Sequence, residues 1–184
     1  MATEQTEPIN TYEAILDHVS KGEDPLGARK TLAVTLTGEQ YTATHSYRVG
    51  IREVPGIGTG AAYASGDAFG TKFLLTVPVE GTIATAVFLD YDDEGLTKEL
   101  VLFNEDFTVT ADNSAFAVSD ADLRNCVGVI SIGTFYNFSA NQLGIASPAL
   151  YYHAPRGFLW GQVVTRGADN IAAGSIPDFF LEIV

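Results

Sequence analysis

The chain has 184 residues, 46% of them hydrophobic and 18% charged, a balance that gives a globular fold with a sizeable core and excludes a disordered chain. Its one cysteine, Cys126, excludes an internal disulfide framework and a four-cysteine zinc site. A net charge of −13 disfavours partners built on phosphate, although solubility alone also accounts for an acidic excess.

From the N-terminus, MATEQTEPIN has neither a basic stretch nor an apolar run, so it does not read as a secretory signal, and an intracellular origin is expected. No apolar run approaches the ~20 residues of a membrane span. In TYEAILDHVSKG, Tyr12, Ile15, Leu16 and Val19 recur at i, i+3, i+4 and i+7, which predicts a helix over 11–21 with one apolar stripe. Thr11 can cap its start and Gly22 stop it. So short a helix is marginal alone. Its stripe needs a surface, supplied by its own domain, a neighbouring subunit or another protein.

KTLAVTLTG and YTATHSYRVGIR lean towards strand, and VPGIGTG then reads as a glycine-rich connector. Gly56, Gly58 and Ala61 match the letters of a dinucleotide fingerprint. That motif needs a strand running in and a helix opening at once, whereas Pro55 precedes it and Gly66 and Gly70 interrupt the stretch after it. A loop is predicted, with 1–60 as an N-terminal arm and 61–184 as the main domain.

Within 61–184, FLLTVPV, TIATAVFLD, LTKELVLF, VGVISIG, ALYYH, FLWGQVVTR and FFLEIV are short β-rich runs bounded by Gly, Pro, Asp or Asn. Their spacing predicts a mainly β sandwich, jelly roll or barrel. One helical turn is expected where Ser119 and Asp122 form a capping pair. Trp160 and Cys126 read as core residues.

The stretch DYDDEG places Asp90, Asp92, Asp93 and Glu94 in six residues before Gly95. On a calcium loop, Asp90, Asp92, Glu94 and Gly95 would take positions 1, 3, 5 and 6, but position 12 is Val101 instead of the closing Glu. The flanks are strands rather than helices. A hairpin with a hydrated acidic tip is predicted, with weak calcium binding left open. Carboxylates crowded on one tip do not face one another across a substrate, as glycoside hydrolysis requires. His18, His45 and His153 form no metal-ligand spacing, and no nucleophile elbow or phosphate loop occurs. No catalytic residue, metal or cofactor is therefore expected.

YASGDAFG (63–70), VFLDYDDEGLTKELVLFNED (87–106), DNSAFAVSDADLRNCVGVISI (112–132) and LWGQVVTRG (159–167) occur in an order that resembles tailed-bacteriophage virion proteins of the capsid decoration, or cement, type. The resemblance covers about residues 61–184, and DNSAFAVSDAD leading into VGVISI is its most specific part. It implies a non-enzymatic β-sandwich or jelly roll on the outer capsid surface of a virion, made in the host cytoplasm. The implied partners are the major capsid protein and the protein itself as a homotrimer, with no nucleic acid and no membrane. The expected contact residues are Tyr12, Ile15, Leu16 and Val19 of the arm. Two alternatives are another virion component, such as a tail or adaptor protein, and a carbohydrate-binding jelly-roll module.

Overall fold

The computed structural model describes residues 46–184 and, separately, two short strands, β1 (Leu32–Val34) and β2 (Gln40–Thr42). These two pair antiparallel, with Leu32 opposite Thr42 and Val34 opposite Gln40. The chain divides into two compact units, Met1–His45 and Ser46–Val184. The helix predicted over 11–21, with Tyr12, Ile15, Leu16 and Val19, lies outside the described residues.

The second unit is mainly β. It contains β3 (Tyr47–Ile51), β4 (Ala68–Thr76), β5 (Glu80–Asp90), β6 (Lys98–Phe103), one short helix α1 (Asp120–Leu123), β7 (Cys126–Ile132), β8 (Phe135–Asn137), β9 (Gln142–Ala146), β10 (Leu150–His153), β11 (Phe158–Thr165) and β12 (Asp178–Ile183). One sheet runs β3-β12-β5-β9-β8, with β10 also paired to β5, and the other runs β4-β11-β6-β7. Every pairing is antiparallel.

Alternation along the strands, broken by bulges, builds the core. Phe73 and Leu75 on β4, Leu100 and Leu102 on β6, Leu159 and Val163 on β11 are buried together with Ile83, Ala86 and Phe88 on β5 and Phe179, Leu181 and Ile183 on β12. The two sheets therefore share one apolar interior. Rings meet within it, Phe73 with Phe179 at 6.4 Å and Phe69 with Phe88 at 6.3 Å between centroids. Burying each such side chain contributes on the order of 2 kcal/mol.

The structure corrects three expectations. The domain boundary falls after His45 rather than at 60. Strand β3 pairs with β12, and Val54 and Ile57 of the connector are buried in the core. VPGIGTG is thus an ordered loop of the unit, and no helix follows its glycines. Secondly, DYDDEG does not turn a hairpin: β5 and β6 lie in different sheets, so residues 91–97 cross between them. Thirdly, Trp160 and Cys126 are only half-buried and lie in a second apolar cluster with Val101, Phe103, Phe107 and Val164. This cluster occupies the outer face of the four-stranded sheet, beneath the 104–119 segment. The capping pair is as the sequence predicts: Ser119 Oγ accepts from Asp122 N at 3.1 Å and donates to Asp122 Oδ2 at 2.9 Å.

Candidate functional site

The sheet-crossing loop is tied down by its own acids. Asp90 is 2% exposed, and its two oxygens accept from Asp92 N at 2.9 Å and Gly95 N at 2.8 Å. Asp92 accepts from Ala172 N, Glu94 from Asn170 N, and Asp93 from the side-chain amides of Asn137 and Gln142. Gly95 has φ +60°, a conformation that favours glycine, and it lies against the side-chain amide of Gln142. The expectation of a fully hydrated acidic tip is therefore wrong. These carboxylates accept hydrogen bonds from the loop itself and from the segments around it.

Beneath the loop lies a buried ion pair. Lys98 Nζ is 2.7 Å from Asp169 Oδ1, with side chains only 2% and 0% exposed. Nζ also donates to Leu96 O at 2.8 Å and sits 5.1 and 5.5 Å from the ring centroids of Phe69 and Phe88. The second oxygen of Asp169 accepts from the Thr165 hydroxyl. Burial lowers the Lys98 ammonium's pKa, while the charges of Asp169, Asp90 and Glu94 act in the opposite direction. Burial, with Asp169, Asp92 and Asp90 nearby, holds the Glu94 carboxyl above the usual carboxylate range.

A third centre explains the segments 63–70, 112–118 and 159–167, which meet in space. Asp112 accepts from Gly58 N at 2.8 Å, the Tyr63 hydroxyl at 2.8 Å and Gly70 N at 2.6 Å. Gly70 has φ +79°, and a Cβ there would lie 2.6 Å from Pro55 O. Gln162, fully buried, donates to Gly70 O and Thr110 O and accepts from Thr110 N. Backbone bonds from Ala68 N to Ser114 O and from Gly66 N to Thr165 O complete the knot. Burial and Asp112 together push the Tyr63 phenol well up.

The outer face of the larger sheet carries two cross-strand apolar rows, Phe180–Val87–Ile145 and Leu89–Leu143–Tyr136. All six side chains are at least partly exposed, Tyr136 by 54%. On the other sheet, Leu74 and Val129 are exposed beside the second cluster.

Among the described residues, no group of three or more His, Cys, Asp or Glu is arranged to hold a metal ion. His18 and His45 lie outside the described residues, and His153 is exposed at the end of β10. Among the described residues, no helix is long and apolar enough to cross a membrane. Because both Asp90 oxygens already hold backbone N–H groups, millimolar calcium or EDTA is expected to leave the melting temperature unchanged. A calcium-dependent rise of about 10 °C or more, lost in Asp92→Asn, would show that the loop binds the ion.

Comparison with protein-family models, curated proteins and solved structures finds no significant match for this chain.

Proposed function

We propose that the protein is a capsid decoration protein of a tailed bacteriophage, a non-enzymatic β-sandwich or jelly-roll-like unit that binds the outside of the head and stabilises the major capsid protein lattice. The observation that carries this reading is the ordered set of four segments over residues 63–167 that resembles such proteins. The use of its polar residues supports it further. Asp90, Asp112, Gln162 and Asp178 are engaged in hydrogen bonds to backbone groups rather than converging on an open cleft. The second unit carries sixteen acids against seven bases, a charge suited to a surface facing solvent and away from packaged DNA. Partner contact falls to the apolar stripe Tyr12, Ile15, Leu16 and Val19 and to symmetry mates in a homotrimer.

Co-sedimentation of the full chain with heads that lack it tests the proposal. Saturable binding that raises the heads' resistance to heat is the expected result. Paired Ile15→Asp and Leu16→Asp should weaken retention tenfold or more, since burying an unpaired carboxylate costs several times the ~1.4 kcal/mol that tenfold represents. Absence of head binding by the unaltered chain refutes the proposal. Location in the tail, or selective capture on a glycan array, would then assign one of the two alternatives.

A further inference from the structure

We propose that Lys98 and Asp169 condense into an intramolecular amide, an autocatalytic cross-link between β6 and the segment after β11. The geometry carries this inference, and it does not depend on the capsid reading.

An amide forms from a lysine and a carboxylic acid when four conditions meet: contact, exclusion of water, removal of charge from both groups, and stabilisation of the oxyanion. Contact is set by the fold. Lys98 stands directly opposite Thr165 in the β6–β11 register, and the chain turns back at Gly167 to bring Asp169 under it. Nζ is 2.7 Å from Oδ1, so the carbon to be attacked is one bond further on. Groups held together in this way reach effective molarities of roughly 10⁵–10⁸ M once the amine moves from the oxygen over the carbon, to about 3–3.5 Å.

Water is excluded by burial, with the Phe69 and Phe88 rings as walls. An apolar enclosure also acts against the ion pair itself, since two desolvated charges are costly. Transfer of one proton along the existing hydrogen bond gives a neutral amine beside a neutral acid. The direction in which burial moves the Lys98 ammonium favours that transfer.

The step then balances without a co-reactant. The amine lone pair attacks Cγ of Asp169, and the new N–C bond forms. Negative charge gathers on Oδ2, where the Thr165 hydroxyl already donates, in the manner of an oxyanion donor. Oδ1 departs as water with the acid proton and one amine proton. Glu94 accepts from the N–H of Asn170, next to Asp169, and its charge acts on the Lys98 ammonium through space. The product leaves no polar atom orphaned: the amide N–H takes over the bond to Leu96 O, and the amide oxygen keeps Thr165.

Intact-mass measurement on the full, unaltered chain tests the proposal, allowing for loss of Met1. The expected mass is one water below that of the sequence. Trypsin should then yield a branched product, residues 73–124 uncut at Lys98 and joined to 167–184. An unchanged mass, with separate 73–98 and 99–124 peptides, shows an ion pair only and overturns the proposal. Loss of water without the branched peptide also overturns it, because Asp169 could dehydrate onto its own backbone at Asn170. Asp169→Asn provides an independent arm: it should release ammonia and converge on the same final mass as the unaltered protein. Thr165→Val should slow conversion at least tenfold and Thr165→Ser restore it. Full conversion in Thr165→Val would remove Thr165 from the mechanism.

Discussion

Asp169→Ala is expected to be among the most damaging single substitutions in the second unit, costing about 3–5 kcal/mol. Its carboxylate is the partner of a lysine that is almost wholly out of solvent. Removing it leaves an ammonium among Phe69, Phe88 and Leu96 with one backbone carbonyl as its remaining hydrogen-bond acceptor. Against a total of roughly 5–15 kcal/mol for a domain, that loss is large. The pH dependence carries a diagnostic sign. Burial already lowers the Lys98 pKa, and without Asp169 it falls further below the unfolded value near ~10.4. The unfolded chain then binds more protons than the folded one across that interval, so stability rises with pH towards the unfolded pKa and is lost as pH falls through the folded one. Thermal melts of Asp169→Ala between neutral and mildly alkaline pH should therefore show a melting temperature climbing more steeply than that of the unaltered protein. Equal slopes, or a loss under about 1 kcal/mol, would mean that Lys98 escapes to solvent when unpaired. A covalent link between the two residues would enlarge the loss, because it closes a long loop in the unfolded chain.

Much of the fold is written in local pattern, and the site is only partly so. The runs of Val, Ile, Leu, Phe and Tyr that became β4–β7 and β10–β12 are visible because alternation and turn residues are local signals. Strand β8, FYN, is too short to show a period and β9, QLGIA, is interrupted by Gly144, so neither stands out, while Phe135 and Ala146 pack on the core. The crossing at 91–97 has the residues of a hairpin turn, since Asp and Gly serve any tight reversal. Which sheet the next strand joins is decided by distant partners. VPGIGTG likewise has a linker's composition, but its glycines permit close packing while Val54 and Ile57 fill the core.

The buried charges did leave a trace. Lys98 is in phase with Leu100 and Leu102, and Asp90 with Phe88, so period two alone places both on inward faces. A charge in phase with a core stripe needs a partner, and that much is readable. That the partner is Asp169, 71 residues away, required the structure. The capsid-contact candidates Tyr12, Ile15, Leu16 and Val19 lie outside the described residues, so for them the sequence remains the only guide.

Asp112→Ala should cost nearly as much, through loss of three charge-assisted bonds rather than an orphaned charge. Such bonds contribute about 1.5–3 kcal/mol each and are not additive here, so roughly 3–5 kcal/mol in total is expected. For a unit of this size that lowers the melting temperature by about 10–17 °C. The loss falls on the Gly58, Tyr63 and Gly70 donors together, hence on the junction of the connector, β4 and the 110–118 segment. Asp112→Asn should be milder, since its amide oxygen can still accept while its NH₂ cannot. Tyr63 supplies the second readout. Its phenol is raised first by burial and then by Asp112, so its contribution to stability is complete below the unfolded tyrosine value near ~10 and is lost as pH rises beyond it. Without Asp112 the burial cause remains but the hydrogen bond and the neighbouring charge are gone. Absorbance titration should find one tyrosine ionising earlier in Asp112→Ala, and its melting temperature should fall less steeply above pH ~10 than that of the unaltered protein. If the tyrosine titration is unchanged while the protein is destabilised, the loss arises from the two backbone donors alone, and the Tyr63 hydroxyl contributes nothing to the knot.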